Sequence, residues 1–199
     1  MTGSRTVQGF VAAGGASSRM GRDKALLSWE SSTLLEHAIE RVHAACGNAT
    51  VLCGATARFR DKAPILMDRY AGLGPLAALH AALEATDKTH VLVLAVDMPR
   101  VPVALLEHLA ETASSADVVV PRSDDGAQPL CAAYSVRCLD PVRQSIEAGQ
   151  NKMTSFWASL AVREIRAEEL MRFGDPASMF ANINGPGDYE ALGGGARVR

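Results

Sequence analysis

Residues His90-Val91-Leu92-Val93-Leu94-Ala95-Val96 are apolar after the first position, rich in branched side chains and without alternation. A strand with one wet face alternates apolar and polar residues. A short unbroken run instead predicts a strand covered on both faces, as in a parallel sheet packed between helices. The rest of the chain fits that demand. Strands are predicted over Val7–Ala13, Ala49–Cys53, Pro64–Met67, Asp117–Pro121, Pro129–Ser135 and Val162–Ile165. A capping-box pattern, Thr33-x-x-Glu36, opens a helix whose buried stripe is Leu35, Ile39, Val42 and Cys46 and which ends at Gly47-Asn48. Further helices are predicted from Pro75 to Glu84, from Pro102 to about Ala113, over Leu139–Ala148 and over Lys152–Leu160, with a short one after the Gly185-Pro186-Gly187-Asp188 turn. Residues 122–127 read as a loop. Strands alternating with helices predict an α/β domain with a mostly parallel sheet. One domain over 1–192 with a flexible C-terminal tail over 193–199 is expected of a chain of 199 residues.

The first strand runs into Val11-Ala12-Ala13-Gly14-Gly15-Ala16-Ser17-Ser18-Arg19-Met20-Gly21-Arg22-Asp23-Lys24. Small residues let a ligand approach the backbone, and a turn of this kind can aim several N–H groups at one anion. Arg19 and Lys24 bring two cations to the same region; arginine forks onto phosphate oxygens, lysine acts as a point charge. A polyphosphate site follows from the residue chemistry. Two familiar phosphate loops are excluded: Ala25 follows Lys24 where the Walker pattern needs Ser or Thr, and the adjacent Gly14-Gly15 pair breaks the dinucleotide fingerprint. A lone Gly-Gly pair is more often a plain turn; its place after a buried-type strand and before two cations weighs against that here.

Composition narrows the partners. A formal net charge of −2 gives no overall attraction to nucleic acid or anionic lipid. Aromatic residues make up 5%, too few for a base-stacking platform. No apolar run reaches the roughly 18 residues of a membrane span, and no signal peptide is evident. Cys46, Cys53, Cys131 and Cys138 form no C-x-x-C pair and no zinc spacing. A reduced, cytoplasmic protein without nucleic-acid or membrane partners is expected.

Asp97 directly follows the His90–Val96 run. In open α/β sheets ligands bind at the carboxyl ends of the strands, so Asp97 and the glycine-rich loop are expected on one edge. A carboxylate beside a polyphosphate suits Mg²⁺, which takes one or two carboxylates and completes its shell with phosphate oxygens and water. Asp68 also follows a strand; it could bind a nucleotide hydroxyl, support the metal or cap a turn. The helix start at Gly72–Leu76 could favour an anion. Asn182 and Asn184 alternate around Ile183 and point to one side of an extended segment. Gln128 and Lys152 carry weaker signals and read as structural. His37, His43, His80, His90 and His108 form no metal or triad spacing, and no G-x-S-x-G elbow is present.

The motif Ala13-Gly14-Gly15-Ala16-Ser17-Ser18-Arg19-Met20-Gly21-Arg22-Asp23-Lys24 resembles the nucleotidyltransferase signature A-G-G-x-S-x-R-M-G-x-D-K. Gly74-Pro75-Leu76-Ala77, Asp97-Met98-Pro99, Gln128-Pro129-Leu130-Cys131-Ala132-Ala133-Tyr134 and Asn182-Ile183-Asn184 follow in the order seen in molybdenum cofactor guanylyltransferases of the MobA type. This resemblance covers about residues 7–192. It implies a Rossmann-like three-layer α/β/α fold and transfer of GMP from GTP to molybdenum-molybdopterin, with pyrophosphate released and Mg²⁺ as cofactor. It also implies transient contacts with molybdenum cofactor biosynthesis proteins and molybdoenzyme chaperones. By the same resemblance Ala12, Ala13, Gly14, Gly15, Lys24, Asp68 and Asp97 would bind the nucleotide, and Asp97 the metal. Arg19, Lys24 and Asp97 would be catalytic, while Asn182 and Asn184 would lie on the pterin side. Gly54 stands where the family often has an asparagine that contributes to guanine binding. Two other readings stay open at this point: a sister nucleotidyltransferase using CTP or another phosphate acceptor, and a non-catalytic nucleotide-binding accessory protein.

Overall fold

The computed structural model describes residues 6–14, 23–70 and 72–194. Within them the chain runs β1 (Val7–Ala12), β2 (Ser28–Trp29), β3 (Ser32–Thr33), α1 (Leu34–Cys46), β4 (Thr50–Leu52), β5 (Ile65–Leu66), α2 (Pro75–Ala85), β6 (His90–Ala95), α3 (Val103–Thr112), β7 (Val118–Ser123), β8 (Gly126–Ala127), β9 (Cys131–Ser135), α4 (Leu139–Glu147), β10 (Val162–Ile165), α5 (Ala167–Leu170), α6 (Pro176–Met179) and α7 (Pro186–Ala191). The main sheet is ordered β10-β7-β9-β6-β1-β4-β5. β5, β4, β1 and β6 are mutually parallel, β9 is antiparallel to both neighbours, and β10 is parallel to β7. β2 and β3 form a separate small hairpin.

The apolar run does what its pattern demands. Leu92 and Leu94 pack on one face among Val11, Leu35, Val42, Leu105 and Leu109. Val91 and Val93 pack on the other among Phe10, Leu76, Leu79, Val142 and Ile146. Thus α1 and α3 cover one face of the sheet and α2 and α4 the other, giving the expected three layers. Each such side chain contributes roughly 1.5–3 kcal/mol on burial.

Local signals set the element ends. At α1 the Glu36 N–H donates to Thr33 Oγ1 at 3.2 Å while the Thr33 N–H donates to Glu36 Oε2 at 3.0 Å, the reciprocal capping box. Gly47, at φ 74°, closes the helix by donating its N–H to the His43 carbonyl.

Two expected elements differ. Residues 122–127 are not a loop: β7 continues to Ser123 and turns back through Asp124-Asp125 into β8. The turn carries aspartates where the usual two-residue hairpin shows Asn-Gly or Asp-Gly, so its signature is missing. The helix expected over Lys152–Leu160 is instead a series of tight turns in which the N–H groups of Ser155, Trp157 and Leu160 bond three residues back, with a 3₁₀ turn over Trp157–Ser159. Met153 and Phe156 are buried three residues apart and imitate the helical spacing. Between the glycine-rich loop and α1 the chain makes a 3₁₀ turn over Lys24–Leu26 and then enters β2. No helix among the described residues is long and apolar enough to cross a membrane.

Candidate functional site

The parallel strands β1, β4, β5 and β6 end on one edge, and the candidate residues gather there. Ala12 ends β1 in register with Leu52 of β4 and Ala95 of β6. Its carbonyl accepts from the Val96 N–H, and the Ala13 N–H donates to the Leu52 carbonyl at 3.0 Å. The chain therefore enters the glycine-rich loop from a fixed point between two strands. Gly14 is exposed and lies against Gly54: a Cβ on Gly14 would come within 2.9 Å of the Gly54 nitrogen. Gly54 has φ 72°, a region that glycine and, less readily, asparagine occupy. The backbone at position 54 thus explains why a glycine fits where the resembling family often has asparagine. Gly15 and Arg19 lie outside the described residues.

On the far side of the loop, Asp23 caps the 3₁₀ turn Lys24–Leu26 by accepting from the Ala25 N–H. That turn sends Lys24 Nζ to within 3.2 Å of Asp97 Oδ2, across 73 residues of sequence. Both side chains are largely covered, at 18% and 26% exposure. The loop after Asp97 is braced from below: the His37 ring lies 3.0 Å from the Pro99 carbonyl through Nε2, and Arg41 donates to the Val101 carbonyl. Burial pulls the His37 pKa below its ordinary value.

The Ile183 N–H donates to the Asp97 carbonyl at 3.0 Å, which brings the late segment to the same edge. Ile183 is buried in the core and Asn182 turns the other way, half-buried. Asn182 Oδ1 is enclosed and accepts no hydrogen bond. Asn184 is exposed, and its N–H donates to Asp188 Oδ2 as part of the cap of α7. Asp68 is tied to the same neighbourhood by its N–H, which donates to the Gly54 carbonyl at 3.0 Å. Its Oδ1 is enclosed without a partner, and burial pushes its carboxyl pKa up. α2 starts nearby at Pro75, with no side chain capping its first N–H groups.

The Gln128 amide donates to Ser123 Oγ within the β7–β8 hairpin, and Lys152 is exposed on the turn series before β10. Sequence reasoning missed the Asp23–Arg58 ion pair and the bracing role of His37, because neither belongs to a local pattern.

The donor set fits a hard divalent cation with phosphate co-ligands. It offers one carboxylate that is partly open to solvent, Asp97, and one enclosed amide oxygen without a partner, Asn182 Oδ1. No cluster of three or more His, Cys, Asp or Glu side chains among the described residues would hold a metal unaided. An ion here needs oxygens from its substrate, as Mg²⁺ commonly does.

Comparison with known proteins identifies the family. The family model described as MobA-like NTP transferase domain matches residues 9–164. A protein of Pelotomaculum thermopropionicum named "Probable molybdenum cofactor guanylyltransferase" is 32% identical over 181 residues, spanning 90% of this chain and 88% of that protein. One of the same name from Carboxydothermus hydrogenoformans is 29% identical over 182 residues, 92% of each. The crystal structure of molybdopterin-guanine dinucleotide biosynthesis protein A from Archaeoglobus fulgidus superposes with a TM-score of 0.80 at 27% identity, covering 92% of this chain and 95% of that one.

Proposed function

Since the chain belongs to the MobA-like NTP transferase family, we propose that it is a nucleotidyltransferase that moves GMP from GTP to molybdenum-molybdopterin, forming the guanine dinucleotide cofactor and pyrophosphate. The observation that carries this reading is the Lys24–Asp97 pair, held at the carboxyl edge of β6 beside the mouth of the glycine-rich loop. The relatives' names supply the acceptor and the base.

In this reading an oxygen of the pterin's terminal phosphate attacks the α-phosphorus of GTP. The bond from that phosphorus to the β-phosphate bridge oxygen breaks, and pyrophosphate leaves with the electron pair. The attacking phosphate is already anionic, so no strong general base is needed, and catalysis rests on positioning and on charge. Asp97 would hold Mg²⁺ with the phosphates, and the ion would neutralise charge that develops on the leaving group. Lys24, paired with Asp97 in the free protein, would pair with a phosphate oxygen of the bound nucleotide. Arg19 adds a second cation to the phosphates. Ala12, Ala13, Gly14 and Gly15 would contact the nucleotide, and Asp68 would accept from a nucleotide hydroxyl. Asn182 and Asn184 contact the pterin side. A cytoplasmic protein, with transient contacts to the proteins that deliver molybdopterin and receive the finished cofactor, fits this activity.

The test supplies GTP labelled at the α-phosphorus, molybdenum-loaded molybdopterin and Mg²⁺. Label in the pterin dinucleotide with an equal amount of pyrophosphate is expected, and chelation of the metal should stop it. Nucleotide binding without any transfer would reject the proposal in favour of an accessory protein.

A further inference from the structure

One side chain ties the two ends of the glycine-rich loop together, and it belongs to none of the motifs above. Arg58 lies between β4 and β5. Its Nη2 donates to the carbonyl of Ala13, just before the loop, at 3.3 Å. Its Nη1 pairs with Asp23 Oδ2, just after the loop, at 2.5 Å. The same Asp23 carboxylate caps, through Oδ1, the turn that carries Lys24 toward Asp97. A continuous set of contacts therefore runs from the end of β1 through Arg58 and Asp23 to Lys24.

Arg58 is itself held in place. Its guanidinium carbon sits 5.0 Å from the centre of the Phe59 ring, a cation–π distance. Phe59 adopts φ 67°, unusual for a side chain of this size, and its carbonyl accepts from the N–H groups of Lys62 and Ala63. The segment is wound tightly around this residue pair, with the Arg58 N–H bonded to the Thr56 carbonyl.

We infer that Arg58 is a positioning residue for nucleotide transfer: by fixing the separation between Ala13 and Asp23, it sets where Ala13 and Lys24 stand relative to Asp97. This rests on the reading of this edge as a nucleotide site. The planar fork meets the two acceptors with two separate nitrogens, Nη2 on Ala13 and Nη1 on Asp23. A lysine offers a single flexible ammonium in place of two N–H groups fixed in one plane, so it is a poor replacement for Arg58.

The experiment measures Mg²⁺-dependent GTP binding by calorimetry on the full chain, together with the melting temperature. The variants are Arg58→Ala, Arg58→Lys, Asp23→Asn and the double variant Arg58→Ala with Asp23→Asn. Arg58→Ala is expected to weaken GTP binding about 10- to 100-fold, the range for a lost charge-assisted bond. Arg58→Lys should recover little of it. The double variant should bind about as weakly as the worse single variant, because both substitutions break one tie. In turnover assays the KM for GTP should rise while the KM for molybdopterin stays near that of the wild type. GTP affinity unchanged in Arg58→Ala, full recovery in Arg58→Lys, or independent effects that multiply in the double variant would each overturn the inference. A wild-type chain that binds no nucleotide would overturn the reading of the edge itself, and the inference with it. Should Arg58→Ala lower the melting temperature enough to cloud binding, Asp23→Asn decides alone: it breaks the same ion pair and must weaken GTP binding.

Discussion

The interior of β6 and the edge where it ends are two residues apart and obey opposite rules. From Val91 to Leu94 every side chain is almost fully enclosed, and every backbone group lies in a ladder with β1 or β9. At Asp97 the side chains are part-exposed, and three enclosed polar atoms around this edge, on Arg58, Asp68 and Asn182, have no hydrogen-bond partner. Buried polar groups are normally satisfied. These three, of seven such atoms among the described residues, leave polar capacity at the edge that a ligand can take up and that the interior of β6 lacks. The interior specifies the fold; the edge spends little on it and is free to bind.

That contrast can be broken by substitution. Asp97→Ala should reduce GMP transfer by about 10²- to 10³-fold, the scale for removing one stabiliser of developing charge, while thermal melting stays within a few degrees of the wild type. A large fall in melting temperature would mean that Asp97 belongs to the interior's class. Leu94→Ala should show the reverse: a loss of about 2–5 kcal/mol in denaturant unfolding, with the surviving folded fraction still able to bind nucleotide. Lys24→Ala is expected to weaken GTP binding and slow transfer about tenfold or more, with unfolding almost unaffected.

Asp68→Asn sharpens the comparison further. Burial raises the Asp68 pKa, so the folded state holds the proton more tightly than the unfolded state. The stability this gives is lost as pH rises through the raised pKa, and at neutral pH the ionised carboxylate is a cost. The amide should therefore raise the melting temperature slightly at neutral pH while weakening GTP binding. A lower melting temperature would show that the carboxylate stabilises the free fold.

The smallest effect is in acid. Burial lowers the pKa values of His37, His80 and His90. Below the ordinary histidine value of 6.5 the unfolded chain takes up protons that the folded chain resists. The stability contribution is thus complete above pH 6.5 and declines as pH falls toward the lowered values. Denaturant midpoints measured stepwise from pH 7 to about 5 should fall, and His37→Gln should flatten part of the slope.

What was readable in the sequence follows the same division. β6 was legible because its covering on both faces leaves an unbroken apolar run, and α1 because its capping box and stripe are local patterns. Lys24 and Asp97 were legible as neighbours, since the glycine-rich loop and Asp97 both follow strands whose ends share an edge; Asp68 was legible only as another residue after a strand, and Asn182 by its alternation with Asn184 and by the family resemblance. Arg58 was not, because its contacts with Ala13 and Asp23 join residues 45 and 35 positions away in an unpatterned polar stretch. The His37 brace on Pro99 is hidden in the same way, inside a helix that explains the histidine without it. The β7–β8 hairpin and the turns over Lys152–Leu160 escaped for a local reason: their residues carry the wrong signature or imitate another.

The most direct test of the central claim offers the wild-type protein GTP, CTP, ATP and UTP separately, with molybdenum-loaded molybdopterin and Mg²⁺, and follows pyrophosphate release with the pterin product. Transfer from GTP in strong preference to the other three is the predicted result, and it would make Gly54 a tolerated change in the base site. Transfer from CTP alone would contradict the guanylyl assignment while leaving the edge and its chemistry in place, and no transfer from any of the four would contradict the account of the edge as a nucleotidyl-transfer site.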